Sequence, residues 1–273
     1  MAGPREVRAE GHDPREEPSA VKLSFMTFSC PELGWDEVLE VARRFGYEGV
    51  EPRAQAGHAH GIEPEASRAA RAAARKVAED AGVEVACLAT SCRYVLAAPS
   101  ERAAMVEESR RLIELAHDVG ARRMRVFGGA IPDGVSREDA ARWAVECLSA
   151  LGEDAAAAGV TLCVETHDSW CDARELARLL HMVAHPSIQA NWDIMHPVRT
   201  DNATIDESFE MLKPWIRHLH NHDGDVSGLL PIGEGIVDHR RTIELLMTIK
   251  FDGYLSGEWI NWESYAIHLP REL

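Results

Sequence analysis

The chain of 273 residues is long enough for one large α/β barrel or two small domains, and either could bury a sizeable core. It carries 29 Lys and Arg against 45 Asp and Glu, a formal net charge of −16, which disfavours nucleic-acid backbones and anionic membrane surfaces as partners. No stretch approaches the roughly 18 consecutive apolar residues that a spanning helix requires, so no membrane partner is expected.

Residues 1–20 form a polar stretch rich in Pro, Arg and Glu without an apolar signal-peptide core, and they read as a flexible tail ahead of a single domain over residues 21–273. From Val21 onward short β-rich runs alternate with longer helical patterns. The expected strands are Lys22–Thr27, Gly49–Arg53, Glu84–Thr90, Arg123–Phe127, Thr161–Glu165, Gln189–Asp193, Ile216–Asn221 and Tyr254–Glu258. Their starts lie about 27 to 39 residues apart, near the pitch of a (β/α)8 TIM barrel, in which about 250 residues form eight units. Between the first two strands, Trp35, Val38, Leu39, Ala42 and Phe45 share one helical face, and Gly46 follows as a C-cap. Gly82, Gly120 and Gly159 fall at the equivalent junctions. A doubly wound open sheet is the competing architecture, but no G-x-G-x-x-G follows the first strand. The six cysteines include no C-x-x-C pair and several lie in apolar runs, which points to packed thiols and a reducing, cytoplasmic setting.

In such a barrel the active site forms at the C-terminal ends of the strands. Each of the last four strands ends in a chemically active side chain: Glu165, Asp193, His220 and Glu258. A lone carboxylate at a strand end is more often a solvated loop residue or a helix cap. Three carboxylates converging on one mouth, however, repel strongly unless a cation sits among them or their pKa values rise. The set is rich in oxygen with one nitrogen, so one divalent ion is expected, Mn2+ first, with Mg2+, Co2+ or Zn2+ as alternatives.

The segments Val164-Glu165-Thr166-His167-Asp168, Asn191-Trp192-Asp193-Ile194-Met195-His196-Pro197, His218-Leu219-His220-Asn221-His222-Asp223, Gly233-Glu234-Gly235 and Ser256-Gly257-Glu258-Trp259 resemble, in order and spacing, the sugar phosphate isomerase/epimerase family of xylose isomerase-like TIM barrels. The resemblance spans about residues 21 to 262. It implies that Glu165, Asp193, His220 and Glu258 are the metal ligands and that His196 points to the substrate. Gly57-His58-Ala59-His60-Gly61 looks like the family's first substrate-contacting loop, with His60 the better candidate, although a surface His-rich loop is an equal reading. His222 stands where many members carry Lys, so a phosphate or carboxylate held there by a permanent cation is not inferred. Barrels of this family commonly pair, which allows a homo-oligomer.

Moving a proton beside a carbonyl requires a base, an acid and positive charge near the developing oxyanion. Glu165 and Glu258 are the expected catalytic pair, one on each face of the carbon, in a metal-dependent isomerase or epimerase of a sugar or keto-sugar. The same enediolate can instead lose a β-substituent, as in a dehydratase or lyase acting on a keto-inositol or 3-keto-glycoside. His167, His196 and His222 are further candidate substrate contacts, and Trp170, Trp259 and Trp262 can wall the site or simply pack. An apurinic endonuclease is disfavoured by the acidic balance, and a non-catalytic sugar-binding barrel by the paired carboxylates.

Overall fold

The computed structural model describes residues 21–273, so the expected tail over residues 1–20 lies outside the described residues. Strands and helices alternate from the start: β1 (Lys22–Met26), α1 (Trp35–Phe45), β2 (Gly49–Glu51), α2 (Arg68–Ala81), β3 (Glu84–Val85), β4 (Leu88–Arg93), α3 (Pro99–Val119), β5 (Arg123–Phe127) and α4 (Arg137–Ala158). The second half continues with β6 (Thr161–Glu165), α5 (Ala173–Val183), β7 (Ile188–Asp193), α6 (Met195–Arg199), α7 (Ile205–Leu212) and β8 (Ile216–Asn221). A hairpin, β9 (Asp223–Asp225) and β10 (Gly228–Leu230), precedes α8 (His239–Thr248), β11 (Tyr254–Gly257) and α9 (Tyr265–His268).

The long sheet is parallel throughout and runs β3-β2-β1-β11-β8-β7-β6-β5-β4. Its two ends belong to one stretch of chain. The third barrel strand is split at Ala86 and Cys87, with β3 pairing to β2 and β4 to β5. Ala54 N donates to Ala89 O and Ala89 N to Pro52 O, both at 3.0 Å, and these bonds close the ring. The result is the expected TIM barrel, with eight strand positions.

The helices cover the ring because each presents an apolar stripe. In α1 that stripe is Trp35, Val38, Leu39 and Ala42, all buried, and Gly46 ends the helix at φ +89°, a conformation costly for any residue with a Cβ. Leu162, Val164, Trp192, Leu219 and Leu255 face this helical layer and build the main core. No described helix is long and apolar enough to cross a membrane. All six cysteines are free thiols and five are buried.

Residues paired in a parallel sheet point to the same face, and alternate residues to opposite faces. The registers Met26↔Glu51, Phe127↔Glu165, Glu165↔Asn191, Asp193↔His220 and His220↔Ser256 therefore place Glu51, Glu165, Asp193 and His220 on one side, the inside of the ring. The buried interior side chains Ser24, Glu51, Arg125, Glu165, Asn191, His218, His220 and Ser256 are polar, unlike the branched apolar layers common in such barrels. Glu51, His218, His220, Glu165 and Arg125 partner one another there, whereas the Ser24, Asn191 and Ser256 side chains meet no hydrogen-bond partner among the described residues.

Candidate metal centre

Four strand ends deliver the expected donors. Glu165 closes β6, Asp193 closes β7, His220 lies near the end of β8, and Glu258 follows β11. One donor atom from each lies within 4.8 Å of the others, and all four residues are buried. His220 Nδ1 sits 3.0 Å from Glu165 Oε1 and 3.1 Å from Glu258 Oε2. Burial opposes the Glu258 carboxylate, but the His220 imidazole draws it down to about 2. Burial likewise opposes a protonated His220, and the Glu258, Glu165 and Glu51 charges hold it well above the usual imidazole range.

Asp193 is fixed from three sides. Its Oδ1 accepts the backbone N–H groups of Met195 (2.9 Å) and His196 (3.0 Å), and its Oδ2 lies 2.8 Å from His222 Nε2. Thr166 Oγ1 accepts from Asp193 N and donates to Asp193 O, both at 2.9 Å, which clips the ends of β6 and β7 together. Burial opposes the Asp193 carboxylate, yet His196, His222 and His220 hold it far below the ordinary range. Three oxygen donors and one nitrogen, converging and buried, fit a divalent cation of the Mn2+, Mg2+, Co2+ or Zn2+ type.

The sequence-derived substrate contacts separate into two groups. His167 and His196 keep some exposure, and their rings lie edge to face at 4.8 Å. His167 Nδ1 is 2.9 Å from Asp168 Oδ1, and Asp168 adopts a left-handed φ of +50°. Burial works against protonated His167, but the Asp168 hydrogen bond and the Glu165, Asp168 and Glu258 charges outweigh it and push the group up to about 8. His60, His222 and Trp259 are buried. His60 accepts from Ile62 N at 3.0 Å and is wedged between Trp35 and His58, while His58 Nδ1 is 3.1 Å from Thr27 Oγ1 at the top of the first strand. Trp259 packs against His268 and so close to Gly257 that a Cβ there would meet its ring at 2.0 Å. Trp170 is also packed, its indole N–H donating to Gly129 O at 2.9 Å, and Trp262 is half-buried beneath the Arg271 guanidinium.

A profile of the xylose isomerase-like TIM barrel family matches residues 39–272. The chain belongs to this family. Among its relatives is the 3-dehydroshikimate dehydratase of Bacillus anthracis, 22% identical over 258 residues, which cover 87% of this chain and 89% of that protein. The L-ribulose-5-phosphate 3-epimerase UlaE of Escherichia coli is 29% identical over 232 residues, covering 81% of this chain and 79% of the epimerase. The fold also superposes on the structure of the IolI protein with a bound zinc atom, at a TM-score of 0.76 and 16% identity, over 92% of this chain and 93% of that one. These enzyme relatives act by epimerisation and by dehydration, and the shared barrel carries both.

Sequence reasoning assigned no role to three residues around this cluster. Glu51 is wholly buried, with Oε1 3.2 Å from His220 Nε2 and Oε2 2.8 Å from His218 Nε2. Arg125 crosses the interior to place Nε 3.2 Å from Glu165 Oε2, donates Nη1 to Thr90 O at 2.7 Å, and lies over the Phe127 ring. Asp223 turns away from the centre to organise the loop beyond β10: its two oxygens accept from the N–H groups of Gly224, Gly233, Gly235 and Val237. In Asp223→Asn a single acceptor oxygen remains for four donors. The substitution is expected to destabilise the chain by about 1–3 kcal/mol, with faster amide exchange at Gly233 and Gly235. Unchanged exchange there would show that other contacts hold the loop.

Proposed function

We propose that the protein is a divalent-metal-dependent isomerase or epimerase that acts on a sugar or keto-sugar through an enediolate intermediate. The observation that carries this reading is the convergence of the Glu165, Asp193, His220 and Glu258 donor atoms within 4.8 Å at the C-terminal rim of the barrel. A divalent ion held by these four residues, Mn2+ first, would supply Lewis-acid charge for a substrate oxygen beside the reacting carbon.

The chain's own groups then account for the proton movements. Glu165 and Glu258 flank the same imidazole nitrogen at 3.0 and 3.1 Å, so two carboxylates approach one small space from different strands. One removes the proton next to the carbonyl and the other returns one, to the opposite face in epimerisation or to the neighbouring carbon in isomerisation. His167 and His196, the expected contacts that retain exposure, hold substrate hydroxyls, and Asp168 fixes the His167 ring. His222 supports the Asp193 carboxylate, while His60 and Trp259 shape the site from behind the surface that substrate touches.

A dehydratase or lyase acting on a keto-inositol or 3-keto-glycoside is the second reading. It is favoured by the His167–Asp168 pair, which sets an imidazole beside the two carboxylates, where it can protonate a departing hydroxyl. The dehydratase relative supports it.

Free ketoses, keto-inositols and 3-keto-glycosides incubated in D2O with Mn2+ test both readings. Deuterium at the reacting carbon of an isomeric product is the expected result, and an unsaturated product one water lighter selects the dehydratase. Turnover without any solvent deuterium would point instead to hydride transfer or to a proton trapped on its base between abstraction and return.

A further inference from the structure

Glu51 comes from β2, on the half of the ring that supplies none of the four expected donors, yet it reaches the centre of the barrel. Its side chain and those of His218 and His220 are completely shielded from solvent. Each carboxylate oxygen faces one imidazole: Oε2 meets His218 Nε2 at 2.8 Å, and Oε1 meets His220 Nε2 at 3.2 Å. The two histidines stand two residues apart on β8 and therefore share a face, with ring centroids 5.6 Å apart and planes at 81°. One carboxylate thus bridges two nearly perpendicular rings.

We propose that Glu51, held by His218, is a positioning residue that presents the Nδ1 lone pair of His220 to a cation; the inference rests on the metal-centre reading above. An ionised carboxylate only accepts hydrogen bonds, so the two Nε2 atoms that face it carry the hydrogens. With Nε2–H of His220 donated to Glu51, the neutral ring that takes up a cation in place of its second proton carries its lone pair on Nδ1, the atom that faces Glu165 and Glu258. Without Glu51 the ring is free to adopt the other tautomer, with an N–H in the space between the carboxylates, or to rotate out of line. A carboxylate behind a ligating imidazole both orients the ring and raises its basicity. His218 occupies the second oxygen, so the carboxylate cannot swing away from His220.

The test uses the full chain stripped of metal and titrated calorimetrically with Mn2+, and separately with Co2+ while its visible absorption is recorded. Wild-type protein is expected to take up one equivalent, and Glu51→Gln to bind Mn2+ about 10–100-fold more weakly with altered Co2+ bands. Glu51→Asp, which restores the charge, is expected to recover part of the affinity. His218→Asn, expected to weaken binding several-fold, decides the matter if Glu51→Gln does not fold. Unchanged affinity and Co2+ bands in Glu51→Gln, or unchanged affinity in His218→Asn where it alone can be measured, overturn the proposal. So does uptake of two equivalents by wild-type protein with one lost in Glu51→Gln, because Glu51 and His218 would then be donors to a second ion. Wild-type protein that binds no divalent cation overturns the metal centre itself, a failure visible before any variant is compared.

Discussion

Glu258→Gln is expected to lower kcat by about 10²–10⁴-fold, the range associated with loss of a positioned acid or base, and to leave the protein with less than one equivalent of bound metal. The reason lies in the double use of one carboxylate. Glu258 belongs to the candidate donor set, and it stands 3.1 Å from the same His220 nitrogen that Glu165 approaches. The amide keeps the shape and one oxygen donor but loses both the charge and the ability to take a proton. Metal analysis of the purified variant, turnover with the best substrate from the D2O screen, and circular dichroism of the folded chain separate these effects. Full metal content together with wild-type turnover would remove Glu258 from the site.

Arg125→Met is expected to destabilise metal-free protein by about 3–5 kcal/mol, the usual consequence of stripping one partner from a buried ion pair. Arg125 and Glu165 are each 1% exposed, and the remaining carboxylate oxygen would face an apolar stem. At a common Mn2+ concentration the loss should shrink, because a cation beside Glu165 restores an opposite charge and the variant therefore gains more from binding. Each tenfold by which its affinity exceeds that of wild type narrows the gap by about 1.4 kcal/mol. Urea denaturation midpoints of both proteins, with and without Mn2+, measure the two quantities. A metal-free variant as stable as wild type would mean that the pair contributes nothing to the fold.

The candidate donors on β6, β7, β8 and beyond β11 were legible because each reads within its own strand, as an apolar run finishing in an acid or an imidazole. Glu51 carries nearly the same signature, Gly-Val-Glu at the end of a short strand, but the expected strand continued to Arg53 and its last residue drew no functional reading. Its partners lie 167 and 169 residues away, and only the closed ring brings them together. Arg125 sits in Arg-Met-Arg-Val-Phe, where alternation separates two faces without saying which is inside. Both faces of a barrel strand are covered, so the usual rule that the charged face meets water does not apply. The break in the third strand was equally hidden, since it follows from Ala86 N donating to Val50 O while the next residues turn to β5. The β9–β10 hairpin escaped because its strands are three residues each and its organiser, Asp223, makes backbone contacts that no side-chain pattern announces.

The pairing of the first strand with the last gives the ring a particular meaning for ion uptake. The four candidate donors lie on or just beyond neighbouring strands, β6, β7, β8 and β11, but the brace from β2 reaches His220 only across β1 and its seam with β11. A molecule without that seam would own the carboxylates and imidazole of the rim but not the group that aims His220. Full cation affinity would accordingly arrive late in maturation, as a signature of the joined chain ends rather than of the C-terminal strands alone.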